Sequence, residues 1–219
     1  MAADSEQILR WPDGPGWLVL SAGGDQTLGA MDDIRASALT RITIDGGVAY
    51  VGLNEGDHDD LIEEMGDMGA PTGYFVNVRL EDDVTIREIL EDAGMILLPA
   101  EVDVMALREA LQGAALEGMT SALARGAVVL AEGESIRLFG ALIDEGVPGF
   151  GWLENAFVVP NVSSISEAVV ARAILSRGIV EFAVGIGDGS ALVLGPERRV
   201  EAWGNGNITI SLGKSMGPE

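Results

Sequence analysis

The regular alternation of short apolar runs with segments of helical spacing most constrains how this chain folds. Apolar runs at residues 17–24, 48–53, 73–78 and 95–100 predict buried strands, and a fifth run follows Gly126. The intervening segments MDDIRASALTRI, HDDLIEEMGDM and VTIREILEDAG have their apolar residues on one helical face. Strands that alternate with helices at this spacing predict βαβ units, hence a mostly parallel sheet covered by helices on both faces.

The C-terminal third has a different pattern. AFVVPN, AVGIGDGSALVL, RVEAW and NITISL are predicted strands joined by turns such as GPER and GNGN, and SEAVVARAILSR is the one predicted helix among them. This pattern predicts an antiparallel extension at one edge of the sheet. The sequence has no internal repeat or linker, so we expect one domain over residues 1–219.

Charge is the strongest feature of the composition. The net charge is −22 and Lys214 is the single lysine, so the surface repels nucleic acid and anionic lipid. No apolar run is long enough to cross a bilayer, and the N-terminus MAADSEQ is acidic where a signal peptide is positive. We therefore expect a cytoplasmic protein with no nucleic-acid or membrane partner. The lack of cysteine excludes disulfides, thiolate metal sites and a cysteine nucleophile.

The segment GAVVLAEGESIRLFGALI, residues 126–143, has the pattern of an enzyme's nucleophile turn. Its small and β-branched start predicts a buried strand, and the apolar residues of positions 136–143 have the spacing of a helix face. The tight turn AEGES lies between them. Strand, sharp turn and helix is the arrangement in which α/β hydrolases hold their nucleophile.

The order of these elements resembles a known family. TIREILEDAGMILLPAEVDVMALREAL, then ARGAVVLAEGESIRLFGALI, GFGWLENAFVVPN, SEAVVARAIL, AVGIGDGSALVL and RVEAWGNGNITI resemble the cyanophycinase and α-aspartyl dipeptidase (peptidase E) family of serine peptidases. The resemblance implies a flavodoxin-like, class I glutamine-amidotransferase-like fold: a three-layer α/β sandwich with a mostly parallel sheet and an antiparallel C-terminal extension.

The nucleophile of that family is not matched. Its turn reads G-T-S-A-G-A, and the serine position falls here on Glu132, or on Gly133 if the strand is one residue longer. Ser135 keeps the G-x-S order but comes two or three residues late. Because neither a glutamate nor a glycine supplies an attacking hydroxyl, the turn is predicted to lack a serine nucleophile.

The other catalytic positions implied by the resemblance differ as well. The family's histidine position falls on Val162 or Ser163, and the only histidine of the chain, His58, precedes the turn. The oxyanion turn G-G-D-Q corresponds to residues 99–102, PAEV, and the G-I-D-E-x-T-A stretch to residues 185–191, GIGDGSA. We therefore interpret the chain as a catalytically inactive homologue that acts as a binding or assembly protein.

Two alternatives stay open. The first is an active serine hydrolase with a rearranged site that uses Ser135 and an unidentified base. The second is a small-molecule or cation binder of the amidotransferase-like superfamily, whose acidic receptor is formed by Glu132 and Glu134 with Glu101 and Asp188 from neighbouring strand ends. A carboxylate at this turn also has a structural interpretation, as a helix cap.

Two further segments are candidate sites. Gly23 and Gly24 in SAGGDQT follow the first strand, and the resemblance implies that they help to frame the cleft; they lack a nucleotide-binding fingerprint, so we expect no cofactor. Residues 55–60, EGDHDD, are interpreted as a solvated acidic loop, and we expect no metal. The expected ligand is an unidentified small molecule or peptide, and a homodimer is left open.

Overall fold

Seven strands form the central sheet in a computed structural model that describes residues 8–23, 29–54 and 59–213. Strands are numbered along the chain, and the spatial order is β11-β10-β1-β5-β4-β2-β3. The strands β1 to β5 run parallel to one another, whereas β10 pairs antiparallel with β1 and β11 pairs antiparallel with β10. Their bounds are β1 (Trp17–Ser21), β2 (Val48–Gly52), β3 (Gly73–Asn77), β4 (Met95–Leu98), β5 (Val128–Glu132), β10 (Ser190–Gly195) and β11 (Arg199–Gly204).

The strand order identifies the doubly wound α/β architecture. The parallel strands lie in the order β3-β2-β4-β5-β1. If β1 is counted last, so that β2 becomes the first strand, this is the flavodoxin-like order 2-1-3-4-5. The predicted fold class is confirmed. All five parallel strands end at one edge of the sheet, and this edge is where ligands bind in such folds.

Helices cover both faces of the central sheet because its strand residues alternate between two apolar cores. Val19 and Val193 face α1 and α2, whereas Leu18 and Leu20 face α3, α4 and α5. Asp82 and Asp103 accept backbone N–H groups at the first turns of α3 and α4. The helices are α1 (Ala30–Leu39), α2 (Asp59–Asp67), α3 (Asp83–Asp92), α4 (Val104–Leu111), α5 (Ala114–Arg125) and α6 (Val169–Ser176).

A second sheet of five strands corrects the expectation for the C-terminal third. Only β10 and β11 extend the central sheet, whereas the other late strands pair separately in the order β12-β9-β8-β6-β7. One face of this sheet belongs to the same hydrophobic core as α3, α4 and α5, and the other face packs against α6. Its strands are β6 (Leu142–Asp144), β7 (Val147–Pro148), β8 (Ala156–Pro160), β9 (Phe182–Ile186) and β12 (Ile208–Leu212).

The helix predicted over residues 136–143 is also corrected, because the helical segment is shorter and a strand follows it. A 3₁₀ helix, Gly133–Phe139, follows β5, and β6 begins three residues later. The apolar spacing of residues 136–143 fits a helix face, but the chain turns at Gly140, whose backbone packs against the carbonyl oxygen of Ala156 on β8. A β-carbon at Gly140 would lie 3.0 Å from that oxygen. The approach of the second sheet therefore ends the helix.

Within the described ranges, none of the helices has the length and apolar character that crossing a bilayer requires.

Candidate functional site

The sharp turn after β5 has a glycine at its one residue with left-handed φ. Glu132 has extended backbone angles, with φ −120° and ψ 147°, and Gly133 follows with φ +55°. A nucleophile turn is sharp and strained, and the residue with left-handed φ is its strained position. That position is occupied by Gly133, which has no side chain.

The loop after β4 leaves no room for a side chain at Gly133. A β-carbon there would lie 2.5 Å from the carbonyl oxygen of Ala100 and 2.9 Å from the Ala100 α-carbon. Both contacts involve backbone atoms, which cannot rotate away as a side chain would. Glycine is therefore required at this turn by packing as well as by conformation.

The loop after β4 also accepts hydrogen bonds from two groups that a hydrolase would need for catalysis. The backbone N–H of Glu134 donates to the carbonyl oxygen of Ala100 at 3.1 Å. In α/β hydrolases the N–H of the residue after the nucleophile helps to form the oxyanion hole. The Ser135 hydroxyl donates to the carbonyl oxygen of Pro99, and the Ser135 side chain is fully buried. Neither group is presented to a substrate.

Glu132 is held by a buried arginine. The Arg35 guanidinium on α1 donates through Nε and Nη2 to the two carboxylate oxygens of Glu132, each at 2.9 Å. Arg35 Nη1 also donates to Glu64 on α2 at 3.1 Å. Glu132 and Arg35 are both buried, so this is a desolvated bidentate ion pair, a geometry that planar guanidinium and carboxylate groups favour.

The pKa values around Arg35 follow from burial and from these carboxylates. Burial alone would lower the pKa of Arg35, but its hydrogen bond to Glu132 and the charges of Glu132, Glu64 and Asp32 raise the pKa above its ordinary value. Burial and a hydrogen bond with Asp32 raise the pKa of Glu64, and the Arg35 charge opposes them. Burial raises the pKa of Tyr50 on β2 to about 12, against the Arg35 charge. The Arg35 cation is therefore permanent, and Glu64 beside it keeps its proton to a higher pH than an ordinary glutamate does.

A cavity of about 320 Å³ opens on the other side of the turn. Arg137 is one of its lining residues, and its guanidinium donates to Glu134 at 2.9 Å and to the carbonyl oxygen of Ile143 at 2.7 Å. The walls are mostly apolar, and Val169 and Val170 at the mouth are exposed. The remaining lining residues are Asp144, Phe157, Val158, Val159, Pro160, Val162, Ala168 and Ala171.

The position that the family resemblance assigns to the histidine lies in this cavity. Val162 contributes a half-buried apolar side chain to the wall, and Ser163 is exposed. Neither residue is a proton acceptor of the kind that activates a serine hydroxyl. His58 and the rest of residues 55–58 lie outside the described residues, and Asp59 and Asp60 are exposed in the first turn of α2.

The carboxylates predicted to form one acidic receptor differ in their surroundings. Glu132 bonds to Arg35, whereas Glu134 bonds to Arg137 beside the cavity. Glu101, in the loop after β4, and Asp188, in the turn before β10, are exposed. The two carboxylates of the turn are thus each neutralised by an arginine of the same chain.

Of the two predicted cleft glycines, only Gly23 lies in the described ranges, and Gly24 lies outside them. Gly23 has φ +90°, and a β-carbon there would lie 3.7 Å from the α-carbon of Gly133. Its carbonyl oxygen accepts from Gly189 at 2.9 Å, and its own N–H donates to Ser21 Oγ at 3.4 Å. Gly23 therefore packs beside the turn.

Arg35 is the site residue that sequence reasoning missed. The buried positions of α1 are Met31, Ile34, Arg35 and Ala38, which follow the i, i+3, i+4, i+7 pattern of a core-facing stripe. An arginine in that stripe must find a buried anion, because an unpaired buried charge is very unfavourable. This position was the available signal for an internal carboxylate partner.

No protein-family model matches this sequence, and no curated protein matches it. A solved structure of a peptidase from an acI-B1 Actinobacterium is similar, with a TM-score of 0.70. The chain shares its fold with a peptidase. The similarity covers 92% of this chain and 97% of that chain at 16% sequence identity, so it establishes the fold and leaves the chemistry to the residues of the site.

Proposed function

We propose that this protein is a non-hydrolytic binding protein built on a peptidase-type fold, a catalytically inactive relative of the cyanophycinase and peptidase E enzymes. The observation that carries the proposal is Gly133, the left-handed residue of the turn, whose missing side chain cannot be restored without displacing Ala100. A serine peptidase needs a hydroxyl at that point, aimed at the substrate carbonyl.

The groups around Gly133 support the same proposal. The Glu134 N–H and the Ser135 hydroxyl both donate to carbonyl oxygens of the loop after β4. Neither the N–H that would bind an oxyanion nor the Ser135 hydroxyl is therefore free to bind a substrate. The histidine position that the resemblance implies holds Val162, an apolar side chain of the cavity wall, or Ser163, which is exposed. Among the described residues around the turn, three separate requirements of acyl transfer, namely an attacking hydroxyl, a proton acceptor and an oxyanion donor, lack an available group.

Hydrolysis of aspartyl and arginyl-aspartyl dipeptides tests the catalytic half of the proposal. We expect wild-type protein and Ser135→Ala to release amino acids at the rate of buffer alone, because Ser135 is buried and bonded to Pro99. Turnover by the wild type that Ser135→Ala abolishes would instead establish the active hydrolase with a rearranged site.

The binding half rests on the cavity beside the turn. Its volume of about 320 Å³ and its mostly apolar walls suit a small molecule or a short peptide with an apolar group. A thermal-shift panel of apolar dipeptides, amines and arginine-containing peptides tests it, since a ligand that binds only the folded state raises Tm. We expect stabilisation by an apolar dipeptide that is lost in Ala168→Phe, which fills the cavity, and retained in Ala202→Phe on β11, outside it.

The same panel tests the acidic receptor. Stabilisation by amines but not by apolar dipeptides would favour the cation-binding alternative. Stabilisation by none of these compounds would contradict the proposal that the cavity is a binding site for this class of ligand.

A further inference from the structure

Strand β12 forms one edge of the second sheet. It pairs with β9 in an uninterrupted antiparallel register from Ile208 opposite Ile186 to Leu212 opposite Phe182. In the described part of the chain its opposite side pairs with no strand. The edge of β12 therefore presents backbone N–H and C=O groups that have no ladder partner.

The flanking hydrogen bonds show which residues of β12 face outward. Gly187 N–H donates to the carbonyl oxygen of Asn207, and Gly213 N–H donates to that of Glu181, so residues 207 and 213 bond toward β9. Because inward and outward bonding alternate along an antiparallel strand, Thr209 and Ser211 also bond toward β9. The N–H and C=O groups of Ile208, Ile210 and Leu212 consequently point away from the sheet.

The β12 edge lacks the features that protect edge strands from pairing. Its sequence, ITISL, contains no charged residue and no proline, and its register contains no bulge. The other edges differ: β11 carries Arg199 and Glu201, β7 ends at Pro148, and at the end of β3 the Asn77 N–H donates to the Glu81 side chain. The β3 strand, GYFVN, is also uncharged, but its last N–H is already occupied by Glu81, whereas β12 has neither a charge nor such a bond along its edge.

The pattern of β12 is complementary to itself. An antiparallel pair of two β12 strands about a two-fold axis at Ile210 places Ile210 opposite Ile210 and Ile208 opposite Leu212, all on one face. The outward backbone groups of these three residues then bond to one another. Ile210 and Leu212 are 45% and 50% exposed in the single chain, so the pairing also buries apolar surface.

We propose that β12 is a dimerisation edge, through which two copies of this chain join their second sheets into one continuous sheet. The charge of the chain favours this location. Two copies of net charge −22 repel each other, and residues 202–213, AWGNGNITISLG, contain no charged residue. A second copy can therefore pair with this segment without placing charged residues of the two segments against each other.

Analytical ultracentrifugation of the full chain over a concentration series up to roughly 100 µM tests the proposal. We expect a monomer–dimer equilibrium in the wild type. Ile210→Pro should weaken it by at least about tenfold with little change in Tm, because proline removes an outward N–H and leaves the β9 ladder intact. Ser211→Pro should instead lower Tm, because the Ser211 N–H bonds toward β9.

A charge at the same position separates pairing from folding defects. Ile210→Lys should give a monomer, because the two-fold axis would bring two lysines into contact, whereas Val200→Lys on β11 adds the same charge and should leave the dimer intact. Added salt should strengthen the wild-type dimer, since it screens the repulsion between acidic surfaces. A monomeric wild type over the whole range, or a dimer that survives both Ile210 variants, would overturn the proposal.

Discussion

The carboxylate of Glu132 accepts two hydrogen bonds from the guanidinium of Arg35, each 2.9 Å long, at the carboxyl end of β5. Glu132 is the last residue of its strand, and Arg35 is in the core-facing stripe of α1. The pair therefore links the carboxyl end of β5 in the central sheet to helix α1. A glutamate immediately before the turn has a structural partner there, and the residue that follows it, Gly133, has no side chain.

Removing the Glu132 carboxylate should destabilise the protein strongly. Glu132→Ala leaves Arg35 as a buried charge without its bidentate partner and with only the weaker contribution of Glu64 and Asp32, and breaking a buried pair in this way costs about 3–5 kcal/mol. Urea unfolding of wild type and variant measures the difference. Glu134→Ala is the matched control, since its ion pair with Arg137 is partly exposed and should contribute about 0–1 kcal/mol.

Replacing both partners should be far less costly than replacing one. The double variant Arg35→Met with Glu132→Leu removes both charges and fills similar volume, and such exchanges of buried ion pairs are often neutral or stabilising. We expect it to recover most of the stability lost in Glu132→Ala. A double variant as unstable as the single one would show that the pair is not the origin of the loss.

Gly133 should tolerate alanine poorly for reasons of space. Gly133→Ala places a β-carbon 2.5 Å from the Ala100 carbonyl oxygen in addition to forcing a left-handed φ on a non-glycine residue. Gly146→Ala imposes only the second cost, because Gly146 has φ +77° and open space around its α-carbon. We expect a loss of about 1 kcal/mol for Gly146→Ala and about 1–3 kcal/mol more for Gly133→Ala in thermal or urea unfolding. Equal losses would contradict the packing of the turn.

Glu64 should make stability depend on pH in the mildly acidic range. Its pKa is raised in the folded protein, so the folded state keeps the proton to higher pH than the unfolded state does. The resulting stabilisation is fully present below the ordinary value of 4.5 and is lost as pH rises through the folded pKa. Glu64→Gln stays neutral, so its Tm relative to wild type should rise between about pH 4 and pH 7.

The exposed neighbour Glu63 on the same helix provides the control for the Glu64 experiment. Glu63→Gln removes the same charge without touching the Asp32–Glu64–Arg35 contact, so its difference from wild type should change less over the same pH range. If the Tm differences of the two variants follow the same pH dependence, the contact of Glu64 with Asp32 does not control the titration.

The strands of the central sheet were predictable because each is a short apolar run between helical segments, as in the runs that became β1, β2 and β5. The elements after the turn were not. Ile136, Leu138 and Phe139 have helical spacing, but tertiary packing at Gly140 stops the 3₁₀ helix and starts a strand. The sequence also could not show which C-terminal strands join the central sheet, since β8, β10 and β12 have similar apolar patterns.

The candidate site was predictable in position but not in partners. The turn at Glu132 and Gly133 was located from local pattern, whereas the bond to Arg35 joins residues 97 positions apart. Such a contact depends on how α1 packs over β5, which no local pattern determines. The bond of Ser135 to Pro99 likewise depends on the neighbouring strand β4, which brings the loop after it against the turn.

Intact-mass spectrometry after incubation with a fluorophosphonate tests the central claim most directly, because the reagent forms a covalent adduct with activated serine hydroxyls and needs no knowledge of the substrate. Since Gly133 has no side chain and the Ser135 hydroxyl is buried and bonded to Pro99, we predict that the folded protein keeps its unmodified mass. A stoichiometric adduct that maps to Ser135 and disappears in Ser135→Ala would contradict the account.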